Sequence, residues 1–268
     1  MLTLSIAVLS LTGLYLLMIF PRAGRKRTLP EGLYAHRGLY SDIIPENSLS
    51  AFEAAAREGY GVELDIQYTK DMRLVVFHDE YLERMCRVKG KVSDYTYEQL
   101  ERFSLNGTAE RIPLFSDVLR VMGSLPVICE IKTQNGIKNT DICPSALQHI
   151  TSYGGFICME SFNPYIVRWF RLNAPYIIRG QLSCKPEKAD INGFFLWQYM
   201  VNILSRPDFL AFDYKQSSLG FILATKLFGA QSVGYTPKGK TEVEKALNSF
   251  DRVIFEQDTP KVKNKINL

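Results

Sequence analysis

Cysteine is scarce in this chain, and its spacing excludes two common uses of the residue. There are five cysteines among 268 residues, an odd number, and no two of them form a C-x-x-C pair. Such a pattern is neither a disulfide framework nor a zinc site. We therefore expect reduced, mostly buried thiols in a cytosolic domain, at Cys86, Cys129, Cys143, Cys158 and Cys184.

Net charge is also low, and it lies in one short stretch. The formal charge is +4. All of it is accounted for by Arg22, Arg25, Lys26 and Arg27. The rest of the chain sums to zero, so it lacks the broad basic surface of a nucleic-acid-binding protein. We expect no nucleic-acid partner.

No charged side chain occurs before Arg22. At about 1.5 Å per residue, a helix over roughly nineteen residues spans about 28 Å, close to the roughly 30 Å hydrocarbon layer. We predict a transmembrane anchor at 1–20 and a basic juxtamembrane linker at 21–32. A signal peptide is one alternative, but the positively charged start and the small-residue cleavage site are missing. A buried helix is another.

The cations that follow this segment predict its orientation. By the positive-inside rule, the side of a membrane helix that carries lysine and arginine stays in the cytoplasm. We therefore expect a single-pass protein of the cell membrane with a cytoplasmic catalytic domain.

Beyond residue 32, short β-rich runs alternate with amphipathic helical stretches, as in a series of βα units. Eight strands in one domain favour a (β/α)8 TIM barrel over 33–268, in the α/β class. A doubly wound open sheet is the alternative, but no G-x-G-x-x-G follows the first strand. The strands are predicted at 33–36, 62–68, 127–131, 155–159, 176–180, 209–213, 232–236 and 252–256.

Helices are predicted between most of these strands, at 50–58, 115–122, 165–172, 194–204, 219–228 and 242–249. The first has a possible capping box formed by Ser50 and Glu53. One interval is too long for an ordinary connection. After the apolar run 74–77, a polar stretch continues to about residue 113. We interpret residues 79–113 as a small insertion that follows the second strand and lies beside the site.

Three acidic residues lie on two neighbouring predicted strands. Glu63 and Asp65 are two positions apart, so both face one side of their strand, and Glu130 lies on the next. Buried acids are costly unless they are paired or bind a cation. Carboxylate oxygens suit a hard ion, so the pattern predicts one divalent cation, Mg²⁺ or Ca²⁺. A salt-bridge network with Arg37 and Lys132 is the alternative.

Histidine is rarer than cysteine, with three in the chain. His36 and His78 follow apolar runs at strand ends, where the active sites of barrels form. Both titrate near neutrality, so one is able to accept a proton while the other donates one. Arg37 and Lys132 offer positive charge to an anionic group. With a metal, this set suits attack at a phosphate ester. His149 has no such neighbours and is interpreted as structural.

The motifs HRG…PENS…AF, E-x-D, HD after VVF, and E-I-K resemble the glycerophosphodiester phosphodiesterase family. The likeness covers roughly residues 33–268. It implies a TIM barrel with an insertion after the second strand. It also implies a divalent metal, and hydrolysis of a small-molecule glycerophosphodiester to glycerol 3-phosphate and an alcohol.

Each matched motif position implies a role for its residue. The resemblance implies acid–base catalysis by His36 and His78, and attack by the neighbouring glycerol hydroxyl to give a cyclic phosphate that water opens. It implies phosphate contacts for Arg37 and Lys132. The implied metal ligands are Glu63, Asp65 and Glu130.

Departures from the family pattern concern the substrate pocket. Tyr235 stands where many members have Trp, Met72 replaces a common Gly, and the usual T-D-x-P ending is altered over 256–260. One alternative substrate is therefore a lysophospholipid, cleaved by a lysophospholipase D-like activity at the membrane. Residues 194–197 would then form an apolar track, although a buried helix face is the other interpretation of that stretch.

Two further alternatives keep the barrel but change the chemistry. One is a non-catalytic binding protein, because fold does not fix function. The other is a phosphatidylinositol-cleaving phospholipase C. The seven intact motif positions count against the first, and the acidic set counts against metal-free versions of the second.

Overall fold

A computed structural model describes residues 2–22, 27–188 and 190–256. Its strands form a closed barrel, because β1 pairs in parallel with both β2 and β9. The predicted (β/α)8 TIM barrel is therefore confirmed. A short extra strand, β3, pairs antiparallel with the end of β2. The strands are β1 Leu33–His36, β2 Gly61–Tyr68, β3 Leu74–Val76, β4 Val127–Ile131, β5 Ile157–Ser161, β6 Arg179–Ser183, β7 Phe209–Asp213, β8 Gln231–Lys238 and β9 Arg252–Glu256.

Helices surround the barrel, and most of the longer ones bury one face. In α5, residues 115, 118, 119 and 122 are buried, at the i, i+3, i+4, i+7 spacing of an amphipathic helix. The helices are α1 Leu2–Ile19, α2 Leu49–Arg57, α3 Glu83–Cys86, α4 Tyr97–Leu100, α5 Phe115–Met122, α6 Ile142–Ser152, α7 Pro164–Asn173, α8 Ile191–Trp197, α9 Asn202–Ser205, α10 Leu219–Lys226 and α11 Gly239–Leu247.

The two faces of each strand have different environments. Val62, Leu64 and Ile66 of β2 pack in the large apolar cluster shared with the helices. Since neighbours on a strand point to opposite faces, the alternate residues Glu63 and Asp65 point into the barrel. The sequence V-E-L-D-I thus forms one apolar wall and one acidic interior.

A second apolar cluster fills the barrel interior beneath these acids. It includes Tyr34, Ile128, Cys158 and Phe209. Gly61 leaves the room that the Tyr34 ring occupies, since a Cβ at Gly61 would lie 2.7 Å from that ring. The amino-end half of the barrel is therefore a packed floor, and the polar side chains lie above it at the carboxyl ends of the strands.

The segment between β3 and α5 has a hydrophobic cluster of its own. Its buried members include Leu82, Met85, Val92 and Leu100. The segment contains α3, a 3₁₀ turn at Val92–Asp94 and α4. It lies where the sequence predicts an insertion at 79–113, and it follows β3 at the carboxyl end of the barrel.

Several predicted boundaries move in the structure. The predicted helix 194–204 is two helices, α8 and α9, interrupted at Tyr199, whose φ is 56°. The predicted capping box is wrong: Ser48 caps α2 by accepting a hydrogen bond from Ala51 N, while Ser50 Oγ donates to Glu110. Strands β5 and β6 begin two and three residues later than predicted, and α6 is an additional helix.

The predicted anchor at 1–20 needs correction. A helix does form there, but none in the described ranges is long and apolar enough to cross a membrane. With 18 residues, α1 is about 27 Å long at 1.5 Å per residue. Its last turn also packs against the barrel. Ile19 is fully buried there, and the carbonyl of Ile19 accepts a hydrogen bond from Asn202.

The predicted linker 21–32 contacts the barrel through the residues on both sides of its undescribed part. Arg22 and Arg27 both form salt bridges with the buried Asp208, at 2.9 and 3.0 Å. Residues 23–26 of this linker, and 257–260 of the predicted C-terminal motif, lie outside the described residues. All five cysteines are free and four are buried, in agreement with the prediction of reduced, mostly buried thiols.

Candidate active site

Three carboxylates converge at the carboxyl ends of β2 and β4. Asp65 and Glu130 are register partners on these strands, and Glu63 lies one inward position below Asp65. Oxygen atoms of all three lie within 4.8 Å of one another, and all three residues are buried. The sequence prediction of an acidic set on adjacent strands corresponds to a single compact cluster.

Two cations contact this cluster. Lys132 Nζ lies 2.8 Å from Asp65 Oδ1 and 2.9 Å from Glu130 Oε1. Arg37 Nε lies 3.6 Å from Asp65 Oδ2. Both ion pairs of the alternative salt-bridge interpretation therefore exist, and they leave Glu63 without a direct lysine or arginine side-chain partner among the described residues.

Burial shifts the pKa of two of these acids upward in spite of the neighbouring cations. Burial, together with the charges of Asp65 and Glu130, raises the pKa of Glu63 well above its usual value. Burial also raises the pKa of Glu130, although Lys132 opposes the shift. Burial opposes ionisation of Asp65 too, but Lys132, together with other nearby positive groups, lowers its pKa. An all-oxygen cluster with excess negative charge fits a hard divalent cation.

His36 ends β1 next to Glu63. Its Nε2 lies 3.8 Å from Glu63 Oε2, and the ring is largely buried. Burial, then the positive charge of Arg37, lowers the pKa of His36 well below its usual value. A neutral imidazole at physiological pH is able to accept a proton, so His36 has the protonation state that a general base requires.

His78 follows β3 and is held by its neighbour. Its Nδ1 lies 2.7 Å from Asp79 Oδ1. A hydrogen bond at Nδ1 fixes the ring orientation and leaves Nε2 for chemistry. Arg84 of α3 binds the other oxygen of Asp79, so the insertion supports the position of His78.

A second chain of contacts supports Arg37. Glu46 Oε1 accepts hydrogen bonds from Arg37 Nη1 at 2.7 Å and from Arg84 Nη2 at 2.6 Å. Asn47 Nδ2 donates to Asp65 Oδ2 at 2.9 Å. Glu46 and Asn47 belong to the PENS motif. The motif is visible in the sequence, but the contacts of these two residues are visible only in the structure.

Glu160 is a fourth buried acid that the sequence reasoning missed. It is the register partner of Glu130 on β5, is 1 % exposed, and its Oε2 has no hydrogen-bond partner. Burial, then Glu130 and Asp65, raises its pKa well above the usual value. The alternation C-M-E on a strand was the available signal, but the predicted strand ended at residue 159.

All of the predicted site residues except Asp65 and Lys132 line a cavity of about 210 Å³. Both histidines line it. Above the apolar floor, Phe162, Leu182 and Tyr235 supply less polar walls. Tyr235, the position that departs from the family pattern, therefore lies at the cavity, and its hydroxyl donates to Ser183 O. The remaining cavity-lining residues are Arg37, Glu63, Glu130, Glu160, Thr236 and Ile254.

The remaining histidine lies apart from the cavity. His149 is on α6, where its ring packs 5.6 Å from that of Phe115 and Nδ1 lies 3.0 Å from Ser145 O. Its place is structural, in line with the interpretation from sequence.

The fold and the site together define a (β/α)8 barrel with a three-carboxylate cluster, two histidines and two cations at the carboxyl ends of its strands. The model of the glycerophosphoryl diester phosphodiesterase family matches residues 36–246. The chain belongs to this family.

Individual proteins show the same relationship. A glycerophosphodiester phosphodiesterase from Caldanaerobacter subterraneus is 34% identical over 158 residues, 55% of this chain and 65% of that protein. A human lysophospholipase D is 32% identical over 116 residues, 38% of this chain and 37% of that protein. The chain thus spans less than two thirds of each of these curated relatives.

Solved structures agree on the fold. A phosphodiesterase from Oleispira antarctica, in complex with the product sn-glycerol-3-phosphate, superposes with a TM-score of 0.72. The identity is 22%, and the superposition covers 84% of this chain and 93% of that one.

Proposed function

We propose that this protein hydrolyses glycerophosphodiesters to glycerol 3-phosphate and an alcohol. The observation that carries the proposal is one cavity lined by two histidines, by Glu63 and Glu130 of the carboxylate cluster and by Arg37, in a chain of the phosphodiesterase family. Hydrolysis of a phosphodiester needs positive charge around the phosphate and a proton donor and acceptor near it.

The cluster of Glu63, Asp65 and Glu130 would hold one divalent cation, Mg²⁺ or Ca²⁺. Its oxygen donors lie close enough together for a single ion. Burial, with the charge of neighbouring carboxylates, raises the pKa of Glu63 and of Glu130, and a bound cation would offset that cost of ionisation. When bound, such an ion supplies positive charge to the phosphate and acidifies a hydroxyl group.

His36 acts as the base in the first step. Its low pKa keeps it neutral, so it accepts the proton of the glycerol hydroxyl next to the phosphate. The hydroxyl oxygen bonds to phosphorus, and the bond from phosphorus to the alcohol oxygen breaks. His78, with Nδ1 hydrogen-bonded to Asp79, donates the proton that the leaving alcohol needs.

The second step reverses these roles. His78, now neutral, takes a proton from water, whose oxygen bonds to phosphorus and opens the cyclic phosphate. His36 returns its proton to the glycerol oxygen that leaves phosphorus, and both rings regain their starting states. Arg37 and Lys132, which border the carboxylates, stabilise the phosphate charge throughout.

A substrate panel on the purified chain tests this function. Glycerophosphocholine, glycerophosphoethanolamine and glycerophosphoglycerol would each be supplied with Mg²⁺, Ca²⁺ or EDTA. We expect glycerol 3-phosphate to form with a divalent ion and not with EDTA. His36→Asn and His78→Asn should each lower kcat by about 10²-fold to 10⁴-fold, whereas His149→Asn should not. Turnover that survives EDTA and Glu63→Gln contradicts the proposed mechanism.

Lysophospholipids are a second candidate substrate class. Large apolar side chains of α1 are exposed, Leu4 by 70% and Leu9 by 72%, and a relative is a lysophospholipase D.

We also propose that α1 attaches the protein to the cell membrane. The basic residues that follow α1 in sequence favour the anionic cytoplasmic leaflet of that membrane. Fractionation of cells into membrane and supernatant, with and without residues 2–14, tests the attachment.

A further inference from the structure

Exposed apolar side chains outside α1 concentrate at one end of the barrel. Five lie on segments that follow the carboxyl ends of strands, around the opening of the site. We define this apolar rim as Ile43, Ile137, Ile191, Phe194 and Leu219, exposed by 83%, 54%, 66%, 44% and 58%. The amino-end side of the described chain has fewer, among them Leu172 at the end of α7 and Tyr176 in the turn before β6. Within residues 194–197, Phe194 is exposed while the other three are half-buried, and Trp197 packs against a buried cluster, so the stretch is only partly available as an apolar track.

Helix α1 extends toward the same end of the barrel. At its C-terminal end, the Phe20 ring packs 4.8 Å from Phe228, which follows α10 at the amino-end side. Five residues earlier, Tyr15 Oη donates to Gln198 Oε1. That oxygen also accepts from the backbone of Gly220, in the first turn of α10, which starts at the carboxyl-end side. Helix α1 therefore runs along the barrel wall, and residues 3–14 continue past the rim.

These twelve residues are exposed on every side. At 100° per residue, Leu4 and Val8 lie on one face of α1 while Ile6 and Leu9 lie on the other. A groove in a protein partner covers one face of a helix, whereas lipid surrounds all of it. This exposed segment is about 18 Å long, which fits one leaflet, about half of the roughly 30 Å hydrocarbon layer.

The rim also has side chains typical of a lipid interface. Lys185 lies over the ring of Trp197, 5.9 Å from its centroid, and Lys215 lies over Tyr214 at 5.2 Å. Both pairs follow strands at the carboxyl-end side. Aromatic rings and lysine stems are amphipathic and lie at the headgroup level of bilayers, where lysine also attracts anionic lipids.

We propose that the open end of the barrel lies against an anionic lipid surface, with residues 3–14 in one leaflet and the apolar rim at the headgroups. The site then receives an amphiphilic phosphodiester whose apolar part stays in the lipid while its phosphate enters the cavity. The substrate class rests on the proposed function, whereas the orientation depends only on α1 and the rim.

Tryptophan fluorescence tests the orientation without any turnover. The chain has two tryptophans, Trp169 on α7 and Trp197 at the rim. In Trp169→Phe, bound to phosphatidylcholine–phosphatidylglycerol vesicles, brominated lipid should quench Trp197 strongly. In the matched Trp197→Phe variant, Trp169 should be quenched several-fold less. Equal quenching of the two, or stronger quenching of Trp169, overturns the orientation.

Paired variants test the consequence for substrate. Ile191→Asp/Leu219→Asp at the rim should lower the rate on lysophosphatidylcholine in vesicles at least tenfold and leave glycerophosphocholine in solution within about twofold. The control double variant, Leu172→Asp/Tyr176→Asp at the amino-end side of the barrel, should change neither of these two rates. Equal vesicle rates for the two double variants overturn the proposal. If the unsubstituted chain cleaves neither substrate, the proposed function fails, while quenching still decides the orientation.

Vesicle binding tests the role of α1. Leu9→Asp/Leu11→Asp should reduce co-sedimentation with anionic vesicles at least tenfold. If binding is unchanged and the unsubstituted chain instead elutes as a dimer that the variant dissociates, α1 covers a second copy and the lipid proposal is wrong.

Discussion

Arg84 in the insertion binds Glu46 in the loop after β1, with 2.6 Å between Nη2 and Oε1. The same guanidinium binds Asp79, which holds His78, while Glu46 holds Arg37. One side chain outside the cavity thus joins the supports of a proton-transfer group and a phosphate-binding group. This makes Arg84 a positioning residue.

Arg84→Ala should lower kcat about tenfold while KM changes less, because both supported groups lose orientation rather than being removed. Stability should change little, since Arg84 is half-exposed and such ion pairs contribute about 1 kcal/mol or less. Steady-state kinetics and thermal unfolding check both expectations. Arg102→Ala, which removes an exposed ion pair in the same insertion, is the control. Equal kinetic effects of the two changes contradict the positioning role.

The pKa of His36 predicts the acid side of the pH profile. Because burial lowers this pKa well below the ordinary value, which is about 6.5, the base stays neutral as the pH falls through 6.5. With the divalent ion at saturating concentration, we expect protonation of His36 to leave kcat/KM unchanged from pH 7.5 to about pH 6 and to lower it only at more acidic pH. A bound cation would lower the pKa further, in the same direction. An acid-side inflection at or above pH 6.5, absent in His36→Asn, would be incompatible with a buried neutral base.

Metal binding should release protons. The raised pKa of Glu63 means that its carboxyl holds a proton at higher pH than usual, and ligation requires the ionised form. Apparent Mg²⁺ or Ca²⁺ affinity should therefore continue to rise with pH above the usual titration range of a glutamate. Calorimetry in two buffers of different ionisation enthalpy measures the protons released. The Glu63→Gln variant should release fewer protons and bind the ion at least tenfold more weakly. The control is Glu110→Gln, which changes a contact with Ser50 and should match the unsubstituted chain in both measurements.

Glu130 and Glu160 are adjacent but should respond differently to the same substitution. Glu130 belongs to the group of oxygens within 4.8 Å, and Glu160 does not. Glu130→Gln should weaken divalent-ion binding at least tenfold, whereas Glu160→Gln should change it less than about threefold. Titration calorimetry distinguishes them, and similar losses for the two would mean that the cluster has four ligands.

Ser48 predicts a stability effect away from the site. Its hydroxyl accepts from Ala51 N and donates to Pro45 O, so Ser48→Ala should lower the free energy of unfolding by about 1–2 kcal/mol. Denaturant unfolding measures it. Ser50→Ala removes a side-chain contact with Glu110 instead of the cap, and a larger loss there than at Ser48 would show that the cap assignment is wrong.

Strict alternation made much of the barrel predictable from sequence. In β2, V-E-L-D-I alternates apolar and acidic residues, and this alone places Glu63 and Asp65 on the inner face. Glu160 escaped prediction because the end of β5 is decided by distant partners, Glu130 on β4 and Gln181 on β6. Alternation is local, whereas strand ends depend on neighbours that the sequence does not show.

The break between α8 and α9 has a similar cause. Tyr199 has a left-handed backbone, which local preference disfavours for a tyrosine. Its ring is fully buried against Phe212 and Phe221, and its hydroxyl donates to Ala211 O. Tertiary packing thus outweighs the helical pattern over 194–204.

The position of Lys132 has a consequence for the order of events. Its ammonium bridges Asp65 and Glu130, two of the three oxygen donors that an ion would use. If these carboxylates held a divalent ion, Lys132 would lose both partners and its ammonium would become available to the phosphate. Binding of the ion and binding of the substrate would then be cooperative. We expect the ion to bind first, and a nonhydrolysable phosphonate analogue to bind more tightly in its presence than in EDTA.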